Sequence, residues 1–153
     1  MKVKTSLFLT FFLSVFLITN GNAQDQSHKD SLNTIIDQYY QLNLDIFKAS
    51  SSKAEIDKLF TIFTDDFKYI HPQYGGEYSR EDLYNGYVKN QANGRYNGGI
   101  LDVKISNRVA GLNAVVIEKS FVTEKDGIDQ LGESQMTLFE FKDGKISRIY
   151  EYW

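Results

Sequence analysis

Two Asp-Gly pairs, Asp126-Gly127 and Asp143-Gly144, divide the second half of the chain into runs that mix β-branched and aromatic residues with polar ones. Asp-Gly between such runs is a strong short-range signal for a β-hairpin. A type I′ turn needs positive φ at both central residues, and these two residue types adopt it at low cost. Ile100 to Val109, Ala114 to Lys125, Asp129 to Lys142 and Lys145 to Trp153 therefore read as successive antiparallel strands, the first two joined through Ala110-Gly111-Leu112-Asn113. A meander of this kind has an apolar face to bury, and the residues before it must supply the cover.

Those residues carry helical periodicity. Leu32, Ile35, Ile36, Tyr39, Tyr40, Leu42, Ile46 and Phe47 fit one face of an amphipathic helix from Ser31 to about Ala49. Ser50-Ser51-Ser52 breaks it, and Ser52 with Glu55 forms a capping box that opens a second helix. That helix turns Ile56, Leu59, Phe60 and Phe63 inward and is predicted to end near Asp65-Asp66. A short strand from Phe67 to His71 follows, stopped by Pro72, and Pro72-Gln73-Tyr74-Gly75-Gly76 reads as a turn. Ser79 and Asp82 then cap a third helix with Leu83, Tyr84, Tyr87 and Val88 as its stripe and Asn93-Gly94 as its stop. Helices first and strands last predict an α+β domain, three helices packed on one face of a curved, mostly antiparallel sheet of four to six strands.

The first residues have a different character. Met1 to Lys4 carries two lysines, Leu7 to Ile18 is nearly all apolar, and Gly21-Asn22-Ala23 is small and polar. This is the pattern of a secretory signal peptide cut after Ala23, and the apolar run falls short of the roughly 20 residues that span a bilayer. Residues 24–30 form a polar lead-in and residues 31–153 one domain, large enough to bury a single core. The predicted location is the periplasm or the cell exterior, with no membrane attachment after processing. The formal charge of −3 becomes more negative once Lys2 and Lys4 are removed, which leaves no electrostatic footprint for nucleic acid or anionic lipid. There is no cysteine, so packing alone must stabilise the exported domain, and thiol catalysis is excluded. With two histidines and no His-x-x-x-His pair, nothing points to a metal. No phosphate-cradling glycine loop points to a cofactor either.

Within the domain, His71 is the residue best suited to chemistry. Strand alternation puts Phe67, Tyr69 and His71 on one face, so the imidazole would stand near the mouth of a pocket behind two aromatic rings. The bland alternatives are a histidine bonded to backbone at the start of a turn and one simply exposed beside Pro72. Ten tyrosines and eleven phenylalanines are many for a domain of this size. Tyr39, Tyr40 and Tyr87 lie on helix faces that meet the sheet, either as core or as the polar lining of an apolar cavity, as does Tyr69 from its strand. Asp65 and Asp66 read as turn chemistry. Glu118 shares a strand face with Ala114, Val116, Ser120 and Val122, where it would reach a ligand or His71, or else stand on a solvated outer face. Arg148, alternating with Ile146, Tyr150 and Tyr152, would hold an anionic ligand group or form a cross-strand ion pair.

Three stretches taken in order resemble the NTF2-like superfamily, with its SnoaL-like polyketide cyclases and ketosteroid isomerases. They are Phe63-Thr64-Asp65-Asp66-Phe67 leading to Tyr69-Ile70-His71-Pro72, then Ser79-Arg80-Glu81-Asp82-Leu83, and last Phe139 to Ile149. The resemblance implies a cone-shaped half barrel, often dimeric through its sheet face. It implies that His71 occupies the place of the isomerases' general base and Tyr40 that of a tyrosine stabilising an oxyanion. The isomerases' second acid would fall near Met136 or Thr137, and neither is acidic, which argues against steroid isomerisation. Three functions follow as expectations. One is binding of a small, largely apolar molecule. Another is a cofactor-independent lyase, isomerase or cyclase using His71, and the last is a sheet-mediated dimerisation or interaction module.

Overall fold

The computed structural model describes residues 25–153 in full, and the signal peptide expected over residues 1–23 lies outside the described residues. The chain forms two compact units, Met1–Ser31 and Leu32–Trp153, with the boundary inside helix α1 (Lys4–Phe47). In the first unit the described turn of α1 carries i,i+4 contacts, with Lys29 paired to Asp25 and the Gln26 amide donating to Asp30.

In the second unit, α1 runs to Phe47, and α2 (Lys53–Phe60) and α3 (Arg80–Ala92) complete the helices. Both predicted capping boxes form. Ser52 accepts from the Ala54 amide while Glu55 accepts from the Ser52 amide, and at α3 Ser79 accepts from the Asp82 amide while Asp82 accepts from the Ser79 amide. α2 stops at Phe60, earlier than expected, with Thr61 as its cap. Phe63 already belongs to strand β1 (Phe63–His71), which takes in Asp65 and Asp66 as well. These two aspartates are not in a turn. They stand exposed beside a register shift between Phe63 and Lys68, and Asp66 pairs with Lys142 at 3.0 Å.

A 3-10 turn, Pro72–Tyr74, leads into β2 (Gly76–Ser79), a strand where only a turn was expected. Gly75 and Gly76 at φ 109° and 101° let the chain reverse and pair β2 antiparallel to β1. The remaining strands are β3 (Ile100–Ala110), β4 (Ala114–Lys125), β5 (Ile128–Leu131), β6 (Gln135–Lys142) and β7 (Lys145–Tyr152). The run expected as one strand from Asp129 to Lys142 is thus two. β4 is long enough to pair with β5 at its end and with β6 at its start, and the Gly132 amide marks the switch by donating to the Phe121 carbonyl. Both Asp-Gly turns take the predicted conformation, with φ positive at Asp126, Gly127, Asp143 and Gly144.

The sheet has seven strands, not four to six, in the order β2-β1-β7-β6-β4-β3, with β5 beside β4. All pairings are antiparallel except β1 with β7, and the sheet does not close. Bulges interrupt β1–β7, β3–β4 and β6–β7, and bulged strands bend. The core lies between the helices and one sheet face. Ile36, Ile46, Ile56 and Leu59 meet Phe63, Phe139, Ile146 and Ile149, all essentially without exposure. Arg80 ties α3 to the end of α2 through the Phe60 carbonyl, and Arg108 of β3 reaches Asp37 on α1.

Candidate functional site

β1 delivers its side chains as alternation requires: Phe67 and His71 are buried, and Tyr69 points the same way. Phe67 stacks on Phe63 with centroids 4.1 Å apart and belongs to the core. Tyr69 and His71 lie further along and line a cavity of about 420 Å³ between α1, α3 and the end of β1. That volume falls in the range of small-molecule sites. Tyr39 enters it from α1, Leu83 and Tyr87 from α3, Tyr96 from the segment after α3, and Trp153 from the end of β7.

His71 is 2% exposed, and neither ring nitrogen has a hydrogen-bond partner in the protein among the described residues. Its neighbours are rings. Tyr74 meets it edge-on at 4.3 Å, Trp153 at 4.6 Å, and Tyr69 lies at 6.3 Å. The alternative in which backbone satisfies the imidazole is therefore not what the structure shows. Buried polar atoms normally find partners, and the exceptions cluster where function needs them. An imidazole with two unengaged nitrogens in a cavity wall can accept a proton or hydrogen bond at one and donate at the other.

The tyrosines divide into two groups. The Tyr87 hydroxyl donates to the Asn43 side-chain oxygen, and the Asn43 amide donates to the Tyr39 carbonyl at 2.8 Å, locking α3 to α1. Tyr40 is buried and does not line the cavity; it lies edge-on to Tyr39 and Phe139, with no hydrogen-bond partner for its hydroxyl among the described residues. Burial, and after it neighbouring phenols or the Glu151 carboxylate, pushes the Tyr39, Tyr40, Tyr69 and Tyr87 hydroxyls well above their ordinary range. They remain neutral donors at any physiological pH.

Glu118 and Arg148 are not at the cavity. Glu118 is exposed on the opposite side of β4, where Ser134 donates to it at 2.6 Å. The inward face of β4 carries Val115, Ile117 and Lys119, so the set expected to line a hollow around Glu118 is mostly the outer one. Arg148 is exposed and paired with Glu140 at 3.0 Å, the cross-strand alternative. It does not share a face with Ile146, because the β6–β7 bulge shifts the parity: Ile146, Ile149 and Glu151 are the buried positions.

That shift brings in a cluster the sequence reading missed. Lys119, 1% exposed, donates to Thr137 Oγ1 at 2.8 Å and lies 3.3 Å from Glu151 Oε2. Thr137 and the Trp153 indole donate to the same carboxylate oxygen at 2.6 and 2.7 Å. Burial lowers the Lys119 ammonium below the usual lysine range, and Glu151 works against that. The cluster sits behind Trp153, whose ring forms part of the cavity wall. Glu151 stands opposite Thr137 on the neighbouring strand. Two steps from Ile149 on an alternating strand was the signal that could have revealed it. Among the described residues no group of three potential His, Cys, Asp or Glu ligands converges to hold a metal ion.

Solved structures match this architecture. An NTF2-like protein of unknown function from Cytophaga hutchinsonii aligns over 82% of this chain and 97% of its own, with TM-score 0.53 and 14% identity. The chain has the NTF2-like fold. An NTF2-like protein from Anabaena variabilis covers 82% of this chain and 90% of its own at TM-score 0.55 and 15% identity. A Mycobacterium tuberculosis LEH-like epoxide hydrolase covers 84% of each at TM-score 0.53 and 15% identity. Neither a protein-family model nor a curated protein sequence matches the chain. At such identities the likeness carries the fold and not the activity, since this fold hosts unrelated functions.

Proposed function

We propose that the helices and the bent NTF2-like sheet enclose a conical pocket that binds a small, largely apolar molecule, oriented by His71. The observation that carries this reading is the cavity itself, walled by aromatic rings around a buried imidazole with no hydrogen-bond partner among the described residues. Such a site provides apolar area for affinity and one polar anchor for orientation. The test is uptake of a neutral fluorescent probe, N-phenyl-1-naphthylamine, by wild type and His71→Gln. Binding to wild type with an affinity changed several-fold in the variant, at equal melting temperature, is the expected result. No uptake by either protein would sink the reading.

The two unengaged nitrogens of His71 also favour a second reading, a cofactor-independent lyase, isomerase or cyclase with His71 as proton carrier and Tyr69 beside it. Here His71→Gln removes turnover, by about 100-fold or more, and leaves probe affinity near wild type. The outer sheet face supports a homodimer as well: Val109, Met136 and Tyr152 are exposed around one shallow depression. Met136→Glu there should shift a dimer to monomer in sedimentation analysis. A wild-type monomer at micromolar concentration refutes it. Export is proposed on the sequence of residues 1–23 alone.

A further inference from the structure

The cavity wall has a consistent electrostatic character. Six tyrosines and Trp153 contribute rings, and the one formally charged side chain in the lining is a carboxylate, Asp82. Both hydrogen bonds that Asp82 makes to the α3 cap fall on a single oxygen, Oδ2. Among the described residues no lysine or arginine lines the space. Lys119 stands behind the Trp153 ring, 5.7 Å from its centroid, and is offset by Glu151 at 3.3 Å. Ring faces carry negative quadrupole density and attract cations, most strongly where water is excluded.

We infer that the ligand of this pocket carries an alkylated ammonium head on an apolar body, held by the rings of Tyr69, Tyr74 and Trp153 with Asp82 at the rim. The inference rests on the binding pocket proposed above and names its ligand class. A primary ammonium is strongly hydrated and asks for several acceptors on entering a cavity. A methylated one presents carbon to the rings and keeps its charge, so aromatic faces suffice. Burial holds the Tyr39, Tyr69 and Tyr87 hydroxyls neutral, and the negative charge of Glu151 reinforces this at each.

The test compares two isosteres by calorimetry on the purified full chain: meta-hydroxyphenyltrimethylammonium and its carbon analogue meta-tert-butylphenol. The second is the more apolar, so a merely hydrophobic pocket prefers it. The expected result is at least about tenfold tighter binding of the cation. Tyr74→Leu keeps an apolar side chain at an exposed position and should weaken only the cation, by about three- to tenfold. Equal or tighter binding of the neutral isostere overturns the cation preference and leaves the pocket standing. So does parallel weakening of both ligands in the variant, which marks lost apolar area. If neither isostere binds while N-phenyl-1-naphthylamine is taken up, the cation preference again falls alone. If none of the three binds, the pocket reading falls with it.

Discussion

His71 and Lys119 are both buried polar side chains, but their surroundings differ in kind. The histidine is enclosed by rings and has no hydrogen-bond partner among the described residues, whereas Lys119 has Thr137, Gln135 and Glu151 around it. A buried ion pair adds little net stability, because desolvation consumes most of the attraction, yet removing one partner strands the other. Lys119→Met should therefore destabilise the protein by about 3–5 kcal/mol in denaturant titration. Adding Glu151→Leu to that variant should recover much of the loss, and a fully additive double mutant would show that the pair is not coupled. Neither residue was singled out from sequence. A lysine and a glutamate in strands ordinarily read as solvent-facing, and only strand parity, altered here by a bulge, turns Glu151 inward.

Among the elements, α3 links local chemistry to the cavity. Its start is set by the Ser79–Asp82 capping box, and it carries Asp82, Leu83 and Tyr87 into the lining. Ser79→Ala should cost about 1 kcal/mol and lower the melting temperature by roughly 3–5 °C. The matched change Ser52→Ala removes an equivalent cap from α2, none of whose residues line the cavity. Similar stability losses are expected from both, with weaker probe binding only in Ser79→Ala. Equal affinities in the two variants would mean that the start of α3 does not shape the site. The caps and the Asp-Gly turns were legible in advance because each rests on contacts within a few residues. The end of α2 was not. Phe63 fits the helical stripe, but the Ile62 carbonyl accepts from the Ile146 amide, and that distant pairing draws the chain into strand β1.

At the scale of the whole domain, four tyrosines tie stability to alkaline pH. Tyr39, Tyr40, Tyr69 and Tyr87 all have hydroxyls raised above the ordinary value of 10.0, chiefly by burial. A group that holds its proton more firmly when folded contributes stability that is complete below its unfolded pKa and is lost as pH rises beyond it. Stability should therefore decline above about pH 10, with phenolate absorbance from these residues appearing only as circular dichroism is lost. Ionisation of the four tyrosines in a still-folded protein would contradict their placement. The fold class, the three helices, the hairpin turns and the facing of Phe67, Tyr69 and His71 all follow from periodicity, caps and turn chemistry, which are local properties of the chain. The outward turn of Arg148 and the inward turn of Glu151 depend on the β6–β7 bulge. The strand count, the parallel pairing of β1 with β7, the outward turn of Glu118 and the meeting of His71 with Trp153 depend on contacts between residues far apart in the chain. A bulge changes which side of a strand every later residue faces, and its position is selected by the packing of the completed sheet.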